Sequence, residues 1–151
     1  MSTITPFLWY DSAAEEAAEF YVSLVDNSSV DNVTRSPDGN AFVVSFTLDG
    51  VRFQAMNAGP GHPFSDSFSI YLSAPTQERI DQLWRDLTAD GGEPGQCGWL
   101  RDRWGVSWQV VPPRLEELMS SPEPGVAQRV TEALLSMGKI SIAQLEAAAA
   151  G

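Results

Sequence analysis

The chain has 151 residues, the size of one ordinary domain, and its 43% hydrophobic and 19% charged residues describe a folded protein rather than a disordered one. Twenty acidic against nine basic residues give a formal net charge of −11; without a Lys/Arg cluster such a surface repels phosphate backbones, so nucleic acid is not an expected partner. No apolar run reaches the ~20 residues that span a bilayer, MSTITPFLWYDS lacks the basic region and apolar core of a secretory signal, and a single cysteine, Cys97, rules out an intrachain disulfide, so a cytoplasmic location away from membranes is expected.

Residues 3–10 are rich in β-branched and aromatic side chains and predict a strand. Ser12-Ala-Ala-Glu15 has the form of a capping box, in which the serine accepts a backbone N–H and the glutamate reaches back. Ala14, Ala17, Ala18, Tyr21, Val22 and Leu24 then recur near helical spacing and predict a helix over 13–25. Three strands follow over 29–35, 41–48 and 51–57, separated by the turn signals Pro37-Asp38-Gly39 and Asp49-Gly50, the second suited to a tight hairpin. After the loop NAGPGHPFSD the order restarts. A strand over 67–73 alternates Phe68, Ile70 and Leu72 against Ser67, Ser69 and Tyr71. Thr76 caps a helix carrying Ile80, Leu83, Trp84 and Leu87, which Gly91-Gly92 ends. Short strands over 93–95 and 98–101 lead to a last one over 107–111.

The segments GVRFQAM, beginning at Gly50, and GVSWQVV, beginning at Gly105, share one pattern: glycine, valine, a polar residue, an aromatic, glutamine and two apolar residues. With the matching order of elements this reads as βαβββ written twice, over 3–57 and 67–111, inside a single α+β domain spanning 1–151. Pairing Thr5 with Ser67 aligns the first strands, and pairing Gly50 with Gly105 aligns the last. Beyond Pro112-Pro113, helices over 114–120 and 126–137 and a third opened by the capping box Ser141-Ile-Ala-Gln144 form a C-terminal extension, 112–151. Leu115, Leu118, Val130, Leu134 and Met137 need burial, so the extension is expected to be docked.

Tandem βαβββ modules resemble the vicinal oxygen chelate superfamily, which includes glyoxalase I, extradiol dioxygenases and bleomycin-resistance proteins. TPFLWYDSAAEEAAEFY, FTLDGVRFQAMNAGPGH and GQCGWLRDRWGVSWQVVP are similar to its PhnB-like, demethylubiquinone methyltransferase-like branch, and the resemblance covers nearly the whole chain, tail included. It implies two modules forming a cupped mixed sheet around a small-molecule cavity, and a homodimer. Metal-using relatives place one ligand on the first and one on the last strand of each module, which by register are Thr5, Gln54, Ser67 and Gln109 here. A divalent metal asks for imidazole or carboxylate donors, and these four are neutral. No metal and no other cofactor is therefore expected.

Alternation puts Arg52, Met56, Ser107 and Val111 on the face of Gln54 and Gln109, and sends Phe53 and Trp108 toward the helices. Thr5, Phe7 and Trp9 share one face, and Ser67, Ser69 and Tyr71 another. The candidate ligand-binding set is Thr5, Phe7, Trp9, Arg52, Gln54, Met56, Ser67, Ser69, Tyr71 and Gln109. Aromatic rings and amides, with Arg52 as the charged group, suit a planar or amphipathic organic molecule. His62, with Asp66 nearby, makes at most half a metal site, and a loop histidine among glycines and prolines is expected in solvent. Cys97 has no histidine close in sequence to activate it. Asp11 and Glu15 read as turn and cap. No glycine-rich strand-to-helix loop marks an S-adenosylmethionine site. Three functions stay open: a metal-free small-molecule-binding protein, which the residues favour; an enzyme, either a methyltransferase or a metal-dependent lyase or dioxygenase; and a structural dimer whose cup is filled by its own side chains.

Overall fold

The computed structural model describes residues 2–151. The chain divides into two compact units, one ending at Pro63 and the other running Phe64–Gly151, each with its own sheet. No helix among the described residues is long and apolar enough to cross a membrane.

The first unit contains β1 (Phe7–Tyr10), α1 (Ala14–Leu24), β2 (Ser29–Arg35), β3 (Ala41–Leu48) and β4 (Val51–Asn57). Asp49 and Gly50 both take positive φ, +45° and +80°, the twist that joins β3 to β4 in a two-residue hairpin. β1 pairs parallel with β4, which needs the α1 crossover, and the sheet order is β1-β4-β3-β2. Small side chains on one stripe of α1, Ala14, Ala17 and Ala18, let the helix sit close to the sheet, and Tyr21 is buried beside them. Under the helix Phe46 and Phe53 stack at 5.4 Å, and the buried hydroxyls of Tyr10 and Tyr21 bond to each other at 2.9 Å.

Two local expectations change here. β1 begins at Phe7 and not at residue 3, because Pro6 has no N–H for a ladder, although its carbonyl accepts the Gln54 N–H at 3.0 Å. The Ser12 capping box does not form. Ala13 is the N-cap and offers no side-chain bond. Asn57, at the end of β4, supplies the acceptor instead: its Oδ1 takes the Ala14 N–H at 2.8 Å. Glu15, released from the box, pairs with Arg35 at 2.7 Å.

The second unit contains β5 (Ser69–Ser73), α2 (Gln77–Thr88), β6 (Glu93–Pro94), β7 (Trp99–Arg101) and β8 (Ser107–Val111), then α3 (Pro113–Met119), α4 (Val126–Leu135) and α5 (Ile142–Ala150). Its sheet order, β5-β8-β7-β6 with β5 parallel to β8, repeats the first topology. Gly105, like Gly50, has positive φ just ahead of the last strand. Thr76 caps α2 as expected, accepting the Arg79 N–H at 3.2 Å. Ile80, Leu83 and Leu87 of α2 are fully buried, as are Trp108 and Val110 of β8.

The C-terminal helices are docked within this unit. Val111, Leu118, Val126, Val130, Met137, Ile140 and Leu145 form one buried cluster, with Leu115 and Leu134 packed against it. Ser141 caps α5, accepting the Gln144 N–H at 3.2 Å. The segment ahead of α5 is tied down by backbone bonds from Cys97 N to Met137 O (2.8 Å) and from Gly98 N to Gly138 O (2.9 Å). Gly98 has φ +85°, and a Cβ there would lie 2.7 Å from Cδ1 of Ile140, so the approach requires glycine.

Candidate functional site

In the first unit, alternate residues on the sheet face away from α1 fall into rows. Register sets Phe7 beside Gln54 and Ser45, Trp9 beside Met56 and Val43, and Arg52 beside Thr47. The Gln54 amide donates to Ser45 Oγ at 3.3 Å, and Phe7 keeps 51% of its surface exposed. Trp9 donates its indole N–H to the Gly59 carbonyl at 3.0 Å, and the His62 ring lies 4.1 Å from it. The loop after β4 thus folds back onto the Trp9 end of this face; His62 is exposed, as expected, yet packed at a tilt of 36° against the indole. Arg52 is exposed and has a counter-charge that sequence reasoning missed. Asp31 accepts from Ser29 Oγ (2.6 Å) and Thr47 Oγ1 (2.7 Å). Those two bonds, then the Arg52 charge, hold its carboxyl below the usual range. Asp31 sits at a register shift between Val30 and Asn32, and no alternation rule places such a residue.

The second sheet repeats the arrangement, with Tyr71, Gln109 and Trp99 in one row and Ser69, Ser107 and Arg101 in the next. The Gln109 amide donates to Ser69 Oγ at 2.9 Å, and Tyr71 is 54% exposed. Partial burial, then the charge of Glu116, pushes the Tyr71 phenol above its ordinary pKa. Each glutamine therefore neighbours a half-exposed aromatic, Phe7 or Tyr71, on the first strand. Register makes Phe7 the counterpart of Tyr71, so Thr5 corresponds to Ser69 and its expected match with Ser67 is corrected by two positions. Both expected residues precede their strands, Thr5 held out of the ladder by Pro6 and Ser67 caught in a turn where its N–H donates to Ser65 Oγ at 3.3 Å. Two other expected face residues are buried. Val111 is taken into the C-terminal helical cluster, and Ser107 donates its hydroxyl to Asp66.

Asp66 anchors a charged group on this face. Arg101 donates to both its oxygens, at 3.0 and 2.7 Å, and lies 3.5 Å from Glu93. Arg101, then Ser107, holds the Asp66 carboxyl down to about 2. A pocket of about 510 Å³ opens here, lined by Asp66, Glu93, Gly95, Gln96, Trp99 and Arg101 among others. A second cleft of about 540 Å³, in the first unit, is lined by polar residues including Glu15, Arg35, Asn40 and Asn57. Neither contains any of the ten residues picked from the sequence. Trp99 and Arg101 were within reach of it, since alternation along the predicted strand 98–101 puts both on the Gln109 face.

The family model for 3-demethylubiquinone-9 3-methyltransferase matches residues 2–111. The chain belongs to this family. Among solved structures it is similar to a Bacillus cereus PhnB protein described as a 3-demethylubiquinone-9 3-methyltransferase: 31% identity, TM-score 0.68, 74% of this chain and 99% of that one. The fosfomycin resistance protein FosX of Listeria monocytogenes shares the fold at 14% identity and TM-score 0.58, over 80% of this chain and 98% of its own. So does a glyoxalase/bleomycin resistance protein of Albidiferax ferrireducens, at 15% identity and TM-score 0.50, over 74% and 98%. These neighbours belong to the vicinal oxygen chelate superfamily, and the α+β fold expected from the repeat is the one observed. A search of the curated proteins gave no match. Helices α3, α4 and α5 lie beyond the residues that the family model matches.

The resemblance suggests two groups, a divalent cation and S-adenosylmethionine. A divalent cation asks for carboxylate or imidazole donors, and the rows holding Gln54 and Gln109 offer amides, hydroxyls and aromatic rings. Both amide nitrogens are turned toward serines, and no three His, Cys, Asp or Glu side chains converge among the described residues. The donor set does not fit a metal. For S-adenosylmethionine, the strand-to-helix connections Asp11-Ser12-Ala13 and Ala74-Pro75-Thr76 contain no glycine, so neither forms the usual nucleotide-type turn. Cys97 is a half-buried thiol with φ +59°, its N–H spent on Met137.

Proposed function

We propose that this family member binds a small organic molecule, without a metal, on the sheet faces that α1 and α2 leave open. In the first unit the contacts are Thr5, Phe7, Trp9, Arg52, Gln54 and Met56. In the second they are Ser67, Ser69, Tyr71 and Gln109. The observation that carries the reading is that on each face a glutamine, steadied by a serine (Ser45 or Ser69), lies beside a half-exposed aromatic ring. A ring offers a flat apolar contact and an oriented amide offers direction, the combination that small-molecule sites use. Chemistry is not required for that role.

The test is a thermal-shift screen of planar phenols and carboxamides on the wild type and on Gln54→Ala and Gln109→Ala. A ligand that binds the folded state raises its melting temperature by mass action. Stabilisation that shrinks in either variant supports the reading; compounds that stabilise all three proteins equally overturn these faces as the site. A stoichiometric divalent ion in protein purified without chelators overturns the metal-free part. The family description favours a second reading, methyl transfer, which predicts saturable S-adenosylmethionine binding by calorimetry; no heat of binding removes it. The proposal also carries a homodimer in the cytoplasm. The resemblance supports the dimer, and a sedimentation profile holding only 16.4 kDa species at micromolar concentration counts against it.

A further inference from the structure

The pocket beside Trp99 was not foreseen, and its chemistry is narrower than that of the glutamine rows. We infer that it recognises an organic cation, an alkylammonium group carried on a flat or aromatic body. The inference rests on reading the open face of the second sheet as a ligand-binding surface, and it names the class of ligand taken there.

Charge decides the sign. Two carboxylates, Asp66 and Glu93, face one guanidinium, Arg101, so the trio is net negative. Arg101 has committed two of its N–H groups to Asp66, at 3.0 and 2.7 Å, in bidentate geometry. An incoming anion would have to displace Asp66, which stays ionised down to about pH 2. Glu93 is different: its contact with Arg101 is 3.5 Å and its side chain is 69% exposed, so the pocket it lines carries a loosely held negative charge open to a ligand. The net charge of −11 over the whole chain adds a field that draws cations to any such mouth.

Shape and surface agree with the charge. A volume of about 510 Å³ takes a ligand of drug size and is far larger than a bare ion needs. Trp99 supplies an indole ring, the best of the aromatic faces for an ammonium group. The ring sits on a fixed backbone: Trp99 O accepts the Gly95 N–H at 2.9 Å, and Trp99 N–H donates to Gln96 O at 3.0 Å. Gly95 makes the closeness possible, since a Cβ there would meet Trp99 O at 2.7 Å.

The probe is benzyltrimethylammonium, with benzyl alcohol as its neutral and benzoate as its anionic counterpart, titrated into the full chain and followed on the indole N–H resonance of Trp99. The ammonium compound is expected to bind at least about tenfold tighter than benzyl alcohol, and benzoate not at all. Glu93→Gln, a change at the surface, is expected to erase most of that preference without altering the melting temperature. Trp99→Leu is expected to weaken the ammonium compound about tenfold. Equal binding of cation and alcohol, tighter binding of benzoate, or indifference to Glu93→Gln overturns the inference. If the cation preference fails while Gln109→Ala still weakens screened compounds, the ligand class is wrong and the proposed function stands. If it fails and screened compounds stabilise the wild type, Gln54→Ala and Gln109→Ala equally, the proposed function falls with it.

Discussion

Trp108 donates its indole N–H to Oδ2 of Asp102 at 3.0 Å, with the two side chains 0% and 2% exposed. The other carboxylate oxygen accepts the backbone N–H groups of Trp104 (2.9 Å) and Val106 (3.0 Å). One buried acid therefore fixes the turn between β7 and β8 and the ring that fills the core under α2. Removing it strands several donors, each costing ~1–3 kcal/mol, so Asp102→Ala is expected to lose about 3 kcal/mol of stability in a urea melt, and Asp102→Asn less. A loss below about 1 kcal/mol for the alanine variant would show that water replaces the carboxylate.

Asn57 rather than Ser12 caps α1, and it also donates to the Ala41 carbonyl at 3.1 Å. Asn57→Ala should lower stability by about 1–2 kcal/mol, whereas Ser12→Ala should stay within about 0.5 kcal/mol of wild type. Paired chemical melts decide it, and the reverse ranking would restore the capping box.

Gln77, at the start of α2, uses both ends of its amide on the segment before α5: Nε2 donates to Ile140 O at 3.0 Å and Oε1 accepts the Ile142 N–H at 2.8 Å. Gln77→Ala is expected to cost about 1–2 kcal/mol and to speed hydrogen exchange at Ile142 and in α5. Unchanged exchange there would mean that the apolar cluster alone holds the segment.

Asp66 should titrate with a midpoint near 2, read by carboxyl-carbon NMR, and Arg101→Met should move that midpoint toward the ordinary 3.8. The folded-state value lies below the unfolded one. Whatever stability the carboxylate contributes is complete above about pH 4 and is lost as pH falls toward 2. Asp66→Asn should flatten the acid limb of the stability curve across that window.

Turns and long strands carried most of what the sequence revealed about the fold. β3, β4 and β8 fall within their expected limits because Asp49-Gly50 and the alternation of Phe46, Phe53 and Trp108 each specify one answer locally. Errors gathered where a distant residue overrides a local signal. Asn57 reaches Ala14 across 43 positions, and nothing in Ser12-Ala-Ala-Glu15 reports it. The site was legible to the same degree. Alternation named the rows of Gln54 and Gln109, but a face has two dimensions. Which first-strand residue lies opposite each glutamine depends on where the strand begins, and Pro6 and the Ser65 turn settled that. Asp66 reached the sheet from a loop, beyond the scope of any periodicity argument.

The match to the family model stops at Val111, yet the polypeptide does not finish its interior there. Ile140 lies against Gly98, and Val111 itself is sealed by side chains contributed after it. Trimming the protein to the matched residues would strip the roof from β8 and leave oily surface wet. The border that kinship draws runs through the middle of what must fold together.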